Sequence, residues 1–363
     1  KNLNSSGDIV NTRTLLHEAI PLTGTIVSGT YADQNIKNYA HGMFQSVYDY
    51  PYLSSSANHI FDITVGVSAN SGIYSSVTSQ QSKKKNIYNQ MAQVLMGYDA
   101  TGSILRFDED GDILAGGTKI DNAFFMNFSR LLVKDEIKKG SFEFELGVSA
   151  SYEQAGRVFV NRIKLTDASG SDGYLVNSPV GEYGILYATA STTTHPYQPV
   201  LKGNRSYPVG LLFYQAGVAV ISGSVFMDED HGGILNNSIG STHFDATSNE
   251  TGFHYVTGSD ISASSNAIRN RIYNLQFNNT VELNSTVYFC RVNHNEYNYS
   301  ANPTYLSASK LRVKTKTTDL PVSYITTVGL YNDNNELMAV SKLSEPLKKT
   351  PDNEFTIRVR LDY

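Results

Sequence analysis

Cysteine is almost missing from this chain. Cys290 is the one thiol among 363 residues, so no internal disulfide can form and an oxidised framework is excluded. Within Thr286-Val287-Tyr288-Phe289-Cys290-Arg291-Val292 it reads as a small buried strand residue. Tryptophan is absent, which argues against a sugar-stacking cleft, although the 24 tyrosines could substitute. Charge is scarce too: 17% of residues are charged, against about 25% in an ordinary globular protein. The net charge of −5 leaves no basic field for nucleic acid. The short basic runs Lys83-Lys84-Lys85, Lys138-Lys139 and Lys348-Lys349 read as solvated positions. No apolar run approaches the roughly 18 residues of a membrane helix, so no membrane span is expected. The opening residues, Lys1 to Ser6, do not read as a signal peptide.

Catalytic and ligand-binding signatures are equally thin. There is no G-x-x-x-x-G-K-[S/T] phosphate loop and no strand-bound G-x-G-x-x-G. The eight histidines form no zinc-type pair. Gly66-Val67-Ser68-Ala69-Asn70 and Gly147-Val148-Ser149-Ala150-Ser151 lack the last glycine of a nucleophile elbow and read as strand ends. Asp108-Glu109-Asp110-Gly111-Asp112 has the alternate carboxylates that calcium favours. Counted from Asp108, however, the sixth and twelfth positions of an EF-hand loop are Ile113 and Lys119, where glycine and glutamate are needed. It reads as an acidic hairpin turn, and Asp228-Glu229-Asp230-His231 reads the same way. No catalytic, cofactor-binding or metal-binding residue is assigned. The expectation is a non-enzymatic protein without a cofactor.

What the chain does hold is Ser, Thr, Asn, Gly, Tyr and Phe in short alternating runs bounded by turn clusters, which predicts a mainly β protein of β-sandwich domains. One helix is predicted over Ser79–Gly97, with Ile87, Met91, Val94, Leu95 and Tyr98 on its packed face. A helical turn or two is predicted at Ala123–Leu132. Strands are predicted at Thr23–Tyr31, Ile60–Val67, Phe142–Ala150, Arg157–Leu165, Gly184–Ala190, Val209–Tyr214, Val218–Phe226, Tyr273–Phe277, Thr286–Val292 and Lys310–Lys316. The stretches Asp228–Phe253 and Thr257–Asn270 lack any period and read as assembly loops. The reading divides the chain into a mixed α/β region, 1–140, and a β-rich domain, 141–363.

The last stretch, Pro321–Tyr363, carries the clearest pattern. Tyr324–Tyr331 is a β-branched and aromatic strand, and Asn332-Asp333-Asn334-Asn335 is turn chemistry. Leu337–Leu343 returns, and Glu354–Tyr363 alternates polar with apolar to the end, as a strand tied into a sheet does. The pattern Y-I-T-T-V-G-L-Y-N-D-N-N-E-L-M-A-V-S-K-L-S-x-P-L-K-K resembles the C-terminal module of virion structural proteins from tailed bacteriophages, marine and cyanobacterial ones especially. Arg130–Phe142 and Leu212–Phe226 resemble further segments of those proteins, in the same order. Together the three cover about a fifth of the chain, and none is a catalytic motif. The resemblance implies a structural part of the virion, assembled in the host cytoplasm; the tail or baseplate is the favoured location, and a head or neck protein is an alternative. Its implied partners are other virion proteins and copies of itself. The interface residues expected on this module are Tyr331, Lys348, Lys349 and Tyr363. A receptor- or glycan-binding module facing a host surface glycan is the alternative reading, and a phage-borne glycan hydrolase is a third.

Overall fold

The computed structural model describes residues 7–18, 33–71, 79–111, 117–147, 162–190, 206–226, 233–235, 260–300, 302–307, 310–311, 316 and 318–363. The protein is mainly β. In chain order the elements are β1 (Ile9–Glu18), β2 (Ile36–Asn38), β3 (Gln45–Tyr48), β4 (His59–Val67), α1 (Ser79–Leu95), β5 (Asn122–Phe128) and α2 (Arg130–Val133). Next come β6 (Glu136–Ile137), β7 (Glu143–Gly147), β8 (Arg162–Thr166), α3 (Gly170–Gly173), β9 (Leu175–Ser178), β10 (Gly181–Ala190), β11 (Tyr207–Phe213) and β12 (Val218–Ser222). Then follow α4 (Ile261–Arg269), β13 (Ile272–Gln276), β14 (Asn279–Val292), β15 (Leu306–Ser307), β16 (Lys310–Leu311), β17 (Ser323–Tyr331), β18 (Leu337–Lys349) and β19 (Phe355–Asp362). Two compact units result: a large one, Leu16–Val281, and a small one that joins Lys1–Leu15 to Glu282–Tyr363.

The large unit is organised by one antiparallel sheet in the order β13-β7-β8-β10-β11-β12-β5-β4-β3-β2, with β9 beside β10. The strands before position 140 (β5, β4, β3, β2) and those after it form two contiguous blocks of this one sheet, joined where β12 pairs with β5 through Val220↔Phe125. The central strands are apolar on both faces, as Val218-Ala219-Val220-Ile221 predicts, and every residue of β12 is buried. Helices α1 and α4 both contact β4. Gly66 makes the first of these contacts possible: a Cβ there would sit 2.9 Å from the Tyr88 backbone nitrogen and 2.8 Å from the Phe125 ring.

Several expectations are corrected. The packed face of α1 is Lys84, Ile87, Tyr88, Ala92 and Leu95, while Val94 and Tyr98 are exposed. The helix ends at Leu95 and β4 lies under its Ile87–Tyr88 side, so the apolar stripe is rotated by about one residue. Ala123–Phe128 is strand rather than helix, because its aromatic run is buried between β4 and β12, and only Arg130–Val133 is helical. Within the stretch read as the second assembly loop, Ile261–Arg269 is helix, capped by the Asp260 carboxylate, which accepts from the Ala263 amide at 2.6 Å. Thr23–Tyr31, Asp228–Phe253 apart from Gly233–Leu235, and most of Lys310–Lys316 lie outside the described residues.

Candidate assembly surface

In the small unit, β14 pairs antiparallel with β19 from Ser285↔Asp362 to Val292↔Phe355, and β17 pairs with β18 as a separate hairpin. Alternation divides each strand into two faces. Val292, Ile357 and Val359 are buried between the two layers, packed against Tyr288, Cys290, Ile325, Val328, Leu330, Leu343 and Phe355. Cys290 is therefore a half-buried strand residue of this small core. The chain end is tied in: Tyr363 exchanges backbone hydrogen bonds with Asn284 at 3.1 and 2.8 Å.

The other face of the hairpin is exposed among the described residues. Tyr331, Leu337, Met338 and Val340 are 64, 53, 68 and 53% exposed. Tyr331 lies opposite Leu337 and Gly329 opposite Val340. Because Gly329 has no side chain, the Tyr331 ring and Leu337 lean over it; a Cβ there would meet them at 3.1 and 3.3 Å. Tyr331, Leu337 and Val340 thus form an apolar plate around Gly329, with exposed Met338 in the bulge beside it. The tip that carries it is built by Asn332, whose Oδ1 accepts the amides of Asn334 and Glu336 at 3.0 and 2.8 Å. Its Nδ2 donates to the Glu336 carboxylate at 2.6 Å, and Asn335 takes the left-handed conformation, φ 61°. Below the plate lie exposed Lys342 opposite Thr327 and exposed Lys348 opposite Tyr324, with exposed Glu345 between them in the strand.

The four predicted interface residues separate. Tyr331 belongs to the plate, Lys348 to the lower end of the same face, and Tyr363 is 74% exposed with its hydroxyl 3.2 Å from Thr286 Oγ1. Lys349 is a correction: it is 0% exposed, and its ammonium donates to His294 O, Asn298 Oδ1 and Thr350 O at 3.0, 2.7 and 2.7 Å. It fastens the base of the hairpin to the 294–298 turn and is out of a partner's reach. Sequence reasoning passed over Leu337, Met338 and Val340. Their signal was the apolar side chains left on the face opposite Ile325, Val328 and Leu330.

The large unit holds polar clusters whose geometry is structural. In the acidic turn, the buried Asp108 carboxylate is paired with the Lys119 ammonium, which stands where a cation would sit. Glu109 is pushed up to about 7 by burial, and it bonds Ser222. Asp112 and Asp228-Glu229-Asp230-His231 lie outside the described residues. Asp167 is buried, and its carboxylate accepts the amides of Gly140 and Phe142 at 2.8 and 2.9 Å and the Tyr214 hydroxyl at 3.1 Å. Burial raises its pKa despite those donors. This knot joins the 138–142 turn to the 167–170 turn. On β3 and β4, Ser46 Oγ and His59 Nε2 both meet Asp62 Oδ1, at 2.5 and 2.8 Å. The carboxylate stands between the other two, so the imidazole is not the serine's base, as acyl transfer would require. Among the described residues no group of three or more His, Cys, Asp or Glu could hold a metal ion.

No family model, curated protein or solved structure matches the chain.

Proposed function

We propose that this chain is a non-enzymatic structural component of a tailed-phage virion, of the tail or baseplate, acting through contacts with other virion proteins and with copies of itself. The observation that carries the reading is the exposed apolar plate of Tyr331, Leu337 and Val340, with Met338 beside it, on a pre-ordered hairpin. Scattered apolar residues on a surface are ordinary, whereas neighbouring ones on one hairpin suit a protein partner. The resemblance of Pro321–Tyr363 to phage virion modules falls on this same element. Function in such a part is geometry: a sheet-built body fixes position and the hairpin engages a neighbour. The reading is tested by light scattering and negative-stain microscopy of the purified full chain over rising concentration. Defined oligomers, rings or stacks are expected. A monodisperse monomer at every concentration, with turnover or capture of a polysaccharide, would overturn it.

A further inference from the structure

We infer that the outer face of the β17–β18 hairpin is a self-complementary surface whose occupant is the same face of a second copy, related by a two-fold axis. The inference rests on the assembly reading above and names the partner of that surface.

Charge changes sign along the hairpin. The tip carries exposed Asp333 and Glu336, the middle is the uncharged plate of Tyr331, Leu337, Gly329 and Val340, and the lower part carries exposed Lys342 and Lys348 with Glu345 between them, for a net positive charge. An isologous contact requires that a patch match itself after a half-turn. Here a two-fold axis through the plate at the level of Val340 sets plate against plate. It also lays the acidic tip of each copy over the lysines of the other. A parallel arrangement would stack acid on acid and base on base, which like-charge repulsion disfavours.

The strand edges of the hairpin fit this face-to-face contact better than edge pairing. Between Thr327↔Lys342 and Ile325↔Leu347 the register breaks, and the excursion in β18 contains Pro346, which has no N–H to donate. The face itself has no such guard. It is two strands wide and extends about 20–30 Å from tip to Lys348, from the usual strand rise and spacing. That is less than the roughly 800 Å² per partner of a standard interface, so the contact is weak when alone and gains strength where copies are held close together.

The test is a charge exchange in the full chain. One variant carries Asp333→Lys and Glu336→Gln, the glutamine keeping an acceptor oxygen for Asn332; the other carries Lys342→Glu and Lys348→Glu. All four side chains are exposed, and circular dichroism with thermal melting verifies that each variant stays folded. Within one hairpin the tip and Lys342 are too far apart for a direct pair, so any rescue must act between chains. Sedimentation velocity is expected to show self-association of each variant weakened at least tenfold relative to wild type. An equimolar mixture of the two should recover association to within about threefold, as a heterodimer. Variants that associate as the wild type does, or a mixture no better than its components, would overturn the inference. If those variants still build the wild-type oligomer, the assembly role stands while the two-fold hairpin contact falls. If no form of the chain assembles, both fall.

Discussion

Lys349 illustrates how one residue's role depends on which face of a strand it takes. Its neighbour Lys348 is exposed on the outer side, while Lys349 points inward to three oxygen acceptors. Replacing it with methionine takes the ammonium away from all three part-buried acceptors. Lys349→Met is expected to destabilise the small unit by about 2–3 kcal/mol in chemical denaturation, and Lys348→Met by less than about 0.5 kcal/mol. Glu109 supplies a pH dependence. Its carboxyl ionises ordinarily near 4.5 and in the fold near 7. Between those values only the folded state holds the proton, so stability is greatest below the lower value and falls as pH rises through the upper one. The loss is at most on the order of 3 kcal/mol, at 1.36 kcal/mol per pH unit. Urea unfolding midpoints measured from pH 5 to 8 should decline, and Glu109→Gln should flatten the decline. A wild-type midpoint that climbs over that range would contradict the burial of Glu109.

At the scale of the element, the hairpin tip and the α1–β4 contact each hang on one residue. Asn332→Ala removes the acceptor of two tip amides and the donor to Glu336. It should lower the small unit's stability by about 1–2 kcal/mol and broaden the amide resonances of 332–336. Gly66→Ala would push α1 away from β4, at about 1–3 kcal/mol by overpacking, read from thermal unfolding. Elements were legible in the sequence where period and turn chemistry agreed. The β17 strand, the Asn332–Asn335 turn and the helix at Ser79 all stand where the pattern puts them. Ala123–Phe128 was not legible, because an unbroken aromatic run has no period and only its neighbours β4 and β12 make it a strand. The exit of β18 was missed as well: it runs on to Lys349, past an irregularity around Pro346 that reads locally as a loop.

Across the whole molecule, the two units differ in how much apolar surface they bury. The large unit has a continuous core reaching from Ile36 to Phe277, and among the described residues the core between the small unit's two layers has three buried side chains. Opening free energy follows buried contact, so amides of β17 and β18 should exchange with deuterium well before those of β11 and β12. The candidate surface was half legible from sequence. Tyr331 and Lys348 are exposed on the hairpin as the sequence reading has them, but a linear pattern does not tell an inner strand face from an outer one when both carry apolar residues. That is why Leu337 and Val340 were passed over, and why Lys349 was placed outside. The measurement that tests the central claim most directly is sedimentation velocity of the full chain against a Leu337→Asp, Val340→Lys variant. Both positions are more than half exposed, so the fold should persist. The account predicts that the wild type shifts to larger species with concentration and that the variant stays smaller. Identical distributions for the two chains would contradict it.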